Sequence, residues 1–78
     1  MSRQFFEIRG EFITLGQFLK ANGEVSIGAE VKAVLEEASI LVDGEIETRR
    51  GRKLRPGQTV TFPDGRVIEF VAVGSSLG

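Results

Sequence analysis

Turn signals divide the second half of the chain into short segments. The dipeptide Asp43-Gly44 is the strongest short signal for a two-residue β-hairpin. Residues 55–58, R-P-G-Q, predict a type II turn, because Pro fixes φ and Gly supplies a positive φ. Residues 63–66, P-D-G-R, predict a further turn. The runs between these turns are short and rich in β-branched residues, so the sequence predicts strands over residues 40–42, 45–48, 59–62 and 67–73.

Two short helices are predicted before most of these strands. The segment T-L-G-Q has capping-box spacing, so Thr14 is expected to begin the first helix and Asn22-Gly23 to end it. Ser26 is expected to begin the second helix, with Glu30 near its positive end. Apolar residues at helical spacing predict one buried face on each helix, formed by Leu15, Phe18 and Leu19 on the first and by Val31, Val34, Leu35 and Ala38 on the second.

The order of the elements predicts the fold class. Residues 4–8 favour a strand, the helices follow, and most strands come late, which argues against parallel βαβ units. We therefore expect an α+β fold in which two short helices pack on a small, mostly antiparallel, twisted sheet. Residues 1–73 are expected to form a single domain and residues 74–78 a flexible C-terminal tail.

The composition leaves little for catalysis. The 78 residues include no His and no Cys, so the commonest general base, metal ligand and thiol nucleophile are absent. The adjacent carboxylates Glu36 and Glu37 would point about 100° apart on a helix and would not converge. No apolar run approaches the roughly 18–20 residues that span a bilayer, and no signal peptide is evident. We expect a cytoplasmic protein that is not an enzyme, has no cofactor or metal and does not bind membranes.

Positive charge is concentrated in residues 49–56, R-R-G-R-K-L-R-P. Five of these eight residues are cationic, whereas the whole chain has a net charge of −1. Residues 1–48 carry four Lys/Arg and nine Asp/Glu, a balance of −5, and residues 49–78 carry six and two, a balance of +4. Solubility alone would not require mutually repelling charges to be packed together, and arginine suits bidentate contact with phosphate. The stretch therefore favours binding to a polyanion over a merely solvated loop.

The position of Leu54 predicts the shape of this stretch. Leu54 is its only apolar side chain besides Pro56 and should face the core. In one regular strand Arg50 and Arg52 would share that face and be buried without partners, which is costly. Gly51 can interrupt the strand, so we expect residues 49–52 to form an irregular projecting loop with both arginines exposed. Residues 53–55 should then return to the sheet.

The order of these motifs resembles the S-four-type RNA-binding domain, also called the αL motif. The segments T-L-G-Q-F-L-K-A-N-G, V-S-I-G-A-E-V-K-A-V-L, I-L-V-D-G and L-R-P-G-Q-T-V follow one another in the family's order within residues 13–62. The F-L-K and R-R-G-R-K-L segments also resemble short stand-alone bacterial proteins of the YaaA/YbcJ type. The resemblance implies binding of structured RNA, ribosomal or ribosome-associated, through the second helix and the adjoining strand loops.

The resemblance also implies where the RNA would bind. Lys32 matches a cationic position of the second helix, and Ser26 matches its polar start. Many members carry Arg near the two helix starts, where this chain has Thr14 and Gly28, and this difference shifts the expected contacts toward residues 49–55. The candidate RNA-binding residues, expected in one basic patch, are Lys20, Ser26, Gly28, Lys32, Arg49, Arg50, Arg52, Lys53 and Arg55.

Recognition of RNA backbone and shape fits this composition better than base stacking. The chain has no Trp or Tyr, and most of its six Phe fit core positions. The alternative is a protein-interaction module that docks its basic loop on an acidic partner, such as a ribosomal protein.

Overall fold

Seven short strands and two helices follow one another along the part of the chain that the computed structural model describes, residues 3–73. The predicted tail, residues 74–78, lies outside the described residues. In chain order the elements are β1 (Arg3–Ile8), β2 (Ile13–Thr14), α1 (Leu15–Ala21), α2 (Gly28–Glu37), β3 (Leu41–Val42), β4 (Glu45–Ile46), β5 (Lys53–Leu54), β6 (Thr59–Thr61) and β7 (Val67–Ala72).

The strands form one five-stranded and one two-stranded sheet. The larger sheet has the order β1-β7-β6-β3-β4, and the smaller one pairs β2 with β5. All neighbours are antiparallel except β1 and β7, which run parallel from Arg3 beside Val67 to Ile8 beside Ala72. The predicted α+β class, with two helices on a mostly antiparallel sheet, is confirmed. The parallel pair brings together the two ends of the described chain, which no local sequence signal indicated.

The predicted turns connect the strands. Asp43 and Gly44 both have positive φ, 51° and 87°, as a type I′ hairpin between β3 and β4 requires. Gly57 has φ 96°, and the N–H of Gln58 donates to the carbonyl of Arg55 at 3.1 Å, which closes the predicted turn before β6. The Asp43 carboxylate then accepts the N–H of Thr59 at 2.9 Å and therefore joins the two turns.

The core lies between the helices and one face of the larger sheet. Phe18 of α1 is fully buried, with ring centroids 5.1 Å from Phe6 and 4.9 Å from Phe70 in edge-to-face geometry. Leu15, Leu19, Val31 and Leu35 complete the buried helix faces as predicted, whereas Val34 and Ala38 are only partly buried at their edge.

Two predicted boundaries were wrong. The second helix begins at Gly28 rather than Ser26, because Glu30 reaches back to accept the backbone N–H groups of Ser26 and Ile27 at 2.8 and 3.3 Å. Ser26 is thus an exposed residue before the helix. The strand predicted over residues 45–48 ends at Ile46, because the next residue, Glu47, turns into the protein and is buried.

Candidate nucleic-acid interface

The basic loop, residues 49–52, has no regular secondary structure, as predicted. The chain then returns through β5, where Leu54 is fully buried and lies opposite Ile13 of β2. The loop therefore projects from the point at which the smaller sheet meets the start of α1.

Main-chain hydrogen bonds attach the basic loop to α1. The carbonyl of Arg52 accepts the N–H of Leu15 at 2.8 Å, and the carbonyl of Arg50 accepts the N–H of Gly16 at 2.9 Å. The N–H of Gln17 donates to the Thr14 hydroxyl at 3.2 Å, in the predicted capping box. First-turn N–H groups of a helix have no partner within the helix, so the loop and the cap together satisfy three of them. The loop is thus held in place by the helix start.

Gly16 allows this close approach. A Cβ atom at this position would lie 3.3 Å from the Arg50 carbonyl oxygen and 3.5 Å from Cγ1 of Val31 on α2. The absence of a side chain therefore lets the loop, α1 and α2 meet at one point.

A buried carboxylate organises the cations of the loop. Glu47 is only 6% exposed, and its Oε2 accepts the backbone N–H groups of Thr48 and Arg49 at 3.1 and 3.0 Å. The side chains of Arg49 and Arg52 donate to the same carboxylate at 3.1 and 3.0 Å. Hydrogen bonds from Arg49, and a further one from Arg52, outweigh burial and lower the pKa of Glu47 to about 2. Its negative charge is therefore firmly held beneath the loop.

Glu47 corrects one expectation about the arginines. Arg50 is exposed, as predicted, but the side chain of Arg52 is only 32% exposed and bonds inward to Glu47. Arg52 does not need to turn fully outward, because the carboxylate supplies the partner that the sequence reasoning assumed to be missing. The sequence offers one hint of this partner, an acidic residue two positions before the arginine run, but it does not indicate that Glu47 is buried. Arg49 also pairs with Glu47 but stays 76% exposed.

Arg50 lies between the cations of the two helices. One shallow depression between α1, α2 and the basic loop is lined by Lys20, Gly28, Arg50 and Gly51, among others. A neighbouring one is lined by Lys32, Thr48 and Arg50, together with Leu35 and Glu36. The helix cations and the loop therefore share one side of the molecule. A Cβ atom built at Gly28 would meet nothing within 4 Å, so the start of α2 is open there.

The other candidate residues lie around this centre or beside it. Arg49, Arg52 and Lys53 line a further depression together with Gly51. The Lys53 ammonium and the Arg55 guanidinium lie 4.9 and 5.6 Å from the centre of the Phe12 ring, so these two cations lie beside the segment that leads into β2. Ser26 lines none of the three depressions, and its N–H is bonded to Glu30.

The remaining cation of the second half, Arg66, has a structural role. Its guanidinium donates two bonds to Glu24 at 2.8 and 2.9 Å and one to Asp64 at 2.8 Å, and it lies 4.4 Å from the centre of the Phe62 ring. These bonds connect the turn before β7 to the connection between the helices. The hydrogen bonds from Arg66 outweigh burial and lower the pKa of Glu24.

Neither a cluster of metal ligands nor a membrane-spanning helix is present among the described residues. Between residues 3 and 73, no three acidic side chains come close enough to hold a metal ion together. Within the same range, neither helix has the length and apolar character to cross a membrane.

Comparison with known proteins places the chain in a family. The family model of the S4 domain matches residues 6–71. The chain is 48% identical over 50 residues to the Bacillus subtilis protein named "Probable ribosome maturation protein RlbA", covering 64% of this chain and 70% of that protein. It is 38% identical over 60 residues to YbcJ of Escherichia coli, covering 77% and 84% of the two chains.

A solved structure shares the architecture. The solution structure of Escherichia coli YbcJ, described as revealing an αL motif involved in RNA-binding, superposes with a TM-score of 0.59 at 33% identity. The match covers 92% of this chain and 89% of that one. The family match over residues 6–71, together with relatives of similar length and the same fold, shows that the chain belongs to the S4-domain family and has the αL architecture.

Proposed function

We propose that this chain is an RNA-binding module that recognises structured RNA through the basic loop and the start of α2. The observation that carries the proposal is the position of Arg50, which lines one depression with Lys20 and Gly28 and another with Lys32. Three cations on separate elements thus face one region beside an open helix start. Such an arrangement suits contacts to the phosphates of a folded RNA backbone.

The loop is prepared for binding before RNA arrives. Its carbonyl groups bond to α1, and Glu47 holds the side chains of Arg49 and Arg52, so little backbone freedom remains to be lost. A guanidinium has five N–H donors, so the two paired arginines keep donors for phosphate oxygens. Arg50 is exposed and is the residue on which we expect binding to depend most.

The surface favours recognition of backbone and shape. Phe12 lies beside the basic loop's return into β5. It is 38% exposed, and Lys53 and Arg55 lie over its ring. The ring is thus already occupied by cations and offers little room for base stacking. We therefore propose a duplex or folded RNA as partner, rather than an extended single strand.

One relative supports a ribosomal setting for this activity. Because the chain resembles a protein named for ribosome maturation, we propose that its RNA is ribosomal RNA, free or within an assembling particle, in the cytoplasm. The proposed role is binding without catalysis, since the chain has neither His nor Cys to act as the commonest general base or as a thiol nucleophile.

A matched pair of substitutions tests the proposal. Arg50→Gln and Arg3→Gln each remove one exposed positive charge, but Arg3 lies on β1 at the far end of the sheet. Titration of labelled structured fragments of ribosomal RNA should show several-fold weaker binding for Arg50→Gln and little change for Arg3→Gln. Equal binding by both variants and the unmodified protein would reject the site and favour an acidic protein partner for the loop.

A further inference from the structure

Strand β1 has one edge that pairs with nothing in residues 3–73. It is the end strand of the larger sheet and bonds to β7 alone. Long edge strands are usually protected by charged side chains, a bulge or a covering loop, because their free backbone groups can pair with another chain. The two charged residues of β1, Arg3 and Glu7, are of opposite sign, so they can attract a second copy of the strand, and Phe5 between them is 64% exposed.

The direction of the backbone groups follows from one hydrogen bond. The carbonyl of Ile8 accepts the N–H of Val73 at 3.3 Å, so Ile8 directs its backbone toward β7. In a parallel pair, alternate residues direct both groups to the same side. Arg3, Phe5 and Glu7 therefore present their N–H and C=O groups to the free edge.

The same three residues also share a face of the sheet. Phe6 packs on Phe18 in the core, and side chains alternate along a strand. Arg3, Phe5 and Glu7 thus stand on the outer face, away from both helices. Arg3, Phe5 and Glu7 therefore supply both the unpaired backbone groups of this edge and the side chains on its outer face.

We propose that β1 pairs with β1 of a second copy of this chain, antiparallel about a two-fold axis at Phe5. The two larger sheets would then join into one continuous sheet. The docking uses no residue of the basic loop, so it is separate from the proposed RNA site.

The spacing of the charges selects this register. Antiparallel bonding requires an outward-facing residue opposite another outward-facing residue. With Phe5 opposite the partner's Phe5, Arg3 stands opposite the partner's Glu7 at both ends, and all three outward residues are paired. A shift by two residues in either direction leaves only two of them paired and sets a charged side chain opposite Phe5. The centred register is therefore both the longest and the only charge-matched one within Arg3–Ile8.

Arg3 can bond to Glu69 of its own chain and to the partner's Glu7 at the same time. It already donates to Glu69 at 2.6 Å, but its side chain is 59% exposed and a guanidinium has further donors. One strand pair buries little surface compared with a stable dimer interface, so association should depend on protein concentration.

Cysteine cross-linking tests the axis directly. The chain contains no cysteine, so Phe5→Cys supplies a single thiol. Residues directly opposite in a hydrogen-bonded antiparallel pair have Cα atoms about 5.5 Å apart, which a disulfide can bridge. Ile46→Cys is the control, since Ile46 is 65% exposed on β4, the other edge strand. Mild oxidation should link Phe5→Cys into dimers much faster than Ile46→Cys, and equal rates would overturn the proposal.

Charge exchange tests the register. Arg3→Glu makes both end positions acidic and Glu7→Arg makes both basic, so each variant alone should associate several-fold more weakly than the unmodified chain. An equimolar mixture should form a heterodimer, because every end pair is then of opposite charge. Sedimentation measures the self-association of each variant and the formation of heterodimer in the mixture, and circular dichroism checks that each variant is folded. A wild-type protein that stays monomeric at its highest soluble concentration, or single variants that associate normally, would overturn the proposal.

Discussion

Arg52 donates from Nη1 to Oε1 of Glu47 over 3.0 Å, and the carboxylate that receives this bond is almost inaccessible to solvent. The most basic segment of the chain is therefore built around a buried negative charge. Two of its arginines are held by this charge, while Arg50 is free to face the helices. Arginines that look equivalent in the sequence thus differ in what their replacement should do.

Charge reversal should lower stability more at Arg52 than at Arg50. Arg52→Glu would place a second carboxylate against the buried Glu47, which keeps the Arg49 side chain and two backbone N–H groups as partners, so the variant should lose about 1–3 kcal/mol of stability. Arg50→Glu changes an exposed residue without a buried partner and should alter stability by no more than about 0.5 kcal/mol. Urea denaturation of the two variants measures the difference. Equal stability would show that the Glu47 pair contributes nothing to the fold.

Glu47 should also make the protein sensitive to acid. Its folded pKa of about 2 lies below the ordinary value of 4.5, so its contribution is complete above pH 4.5 and is lost as the pH falls toward 2. By linkage this contribution is at most about 3 kcal/mol. Glu47→Gln cannot titrate, so its stability should fall less than that of the unmodified protein over this pH range. Unfolding free energies measured from pH 6 to pH 2 test this, and parallel curves would contradict it.

The extent of agreement between sequence and structure depends on how local each signal is. The hairpin at Asp43-Gly44 and the capping box at Thr14 need only neighbouring residues, and both are present as predicted. The pairing of Arg3 with Val67 depends on the packing of the whole chain, and nothing in either segment indicated it. Ser26 is a residue type that favours helix caps, but the helix begins two residues later at Gly28, and Glu30 reaches back from within it to accept the N–H of Ser26.

The local geometry of the candidate site was likewise predictable only where neighbouring residues determine it. Clustered charge identified the basic loop, and Leu54 indicated correctly where the chain returns to the sheet. The burial of Glu47 was not predictable. Alternation along a strand indicates the direction of a side chain only within the strand, and β4 ends at Ile46, one residue before Glu47. Gly16 was also missed, since its small size matters only against Arg50, which is 34 positions later in the printed sequence.

The two helical glycines should respond differently to the same substitution. A Cβ at Gly28 meets open space, so Gly28→Ala should be neutral or stabilise the protein by up to about 1 kcal/mol through helix propensity. Gly16→Ala has the same propensity gain but brings a methyl group to 3.3 Å from the Arg50 carbonyl, so it should gain less or lose stability. Thermal denaturation compares them, and a larger gain for Gly16→Ala would mean that the basic loop is not held tightly against α1.

Gly28→Glu tests the open start of α2. The side chain has room, so the fold should be kept, but a carboxylate beside Lys20 and Arg50 should repel phosphate and weaken RNA binding several-fold. Gly28→Gln is the matched control of nearly the same size without the charge, and it should bind RNA more tightly than Gly28→Glu. Equal binding by the two variants would restrict the role of the helix start to structure.

The strength of binding should depend steeply on salt. If about six side chains of the basic region reach phosphates, the logarithm of the binding constant should fall by about 4 to 5 for each tenfold rise in salt concentration. Acidic residues dominate residues 1–48, with a balance of −5, and should oppose any RNA that extends beyond the basic region. We therefore expect weak binding by this chain alone near physiological salt.

Arg50→Gln should reduce the slope of this salt dependence by about 0.7–0.9, the value of one lost phosphate contact, whereas Arg3→Gln should leave it unchanged. Titrations at several salt concentrations measure both slopes, and a flat dependence in the unmodified protein would remove the basic loop from the RNA interface.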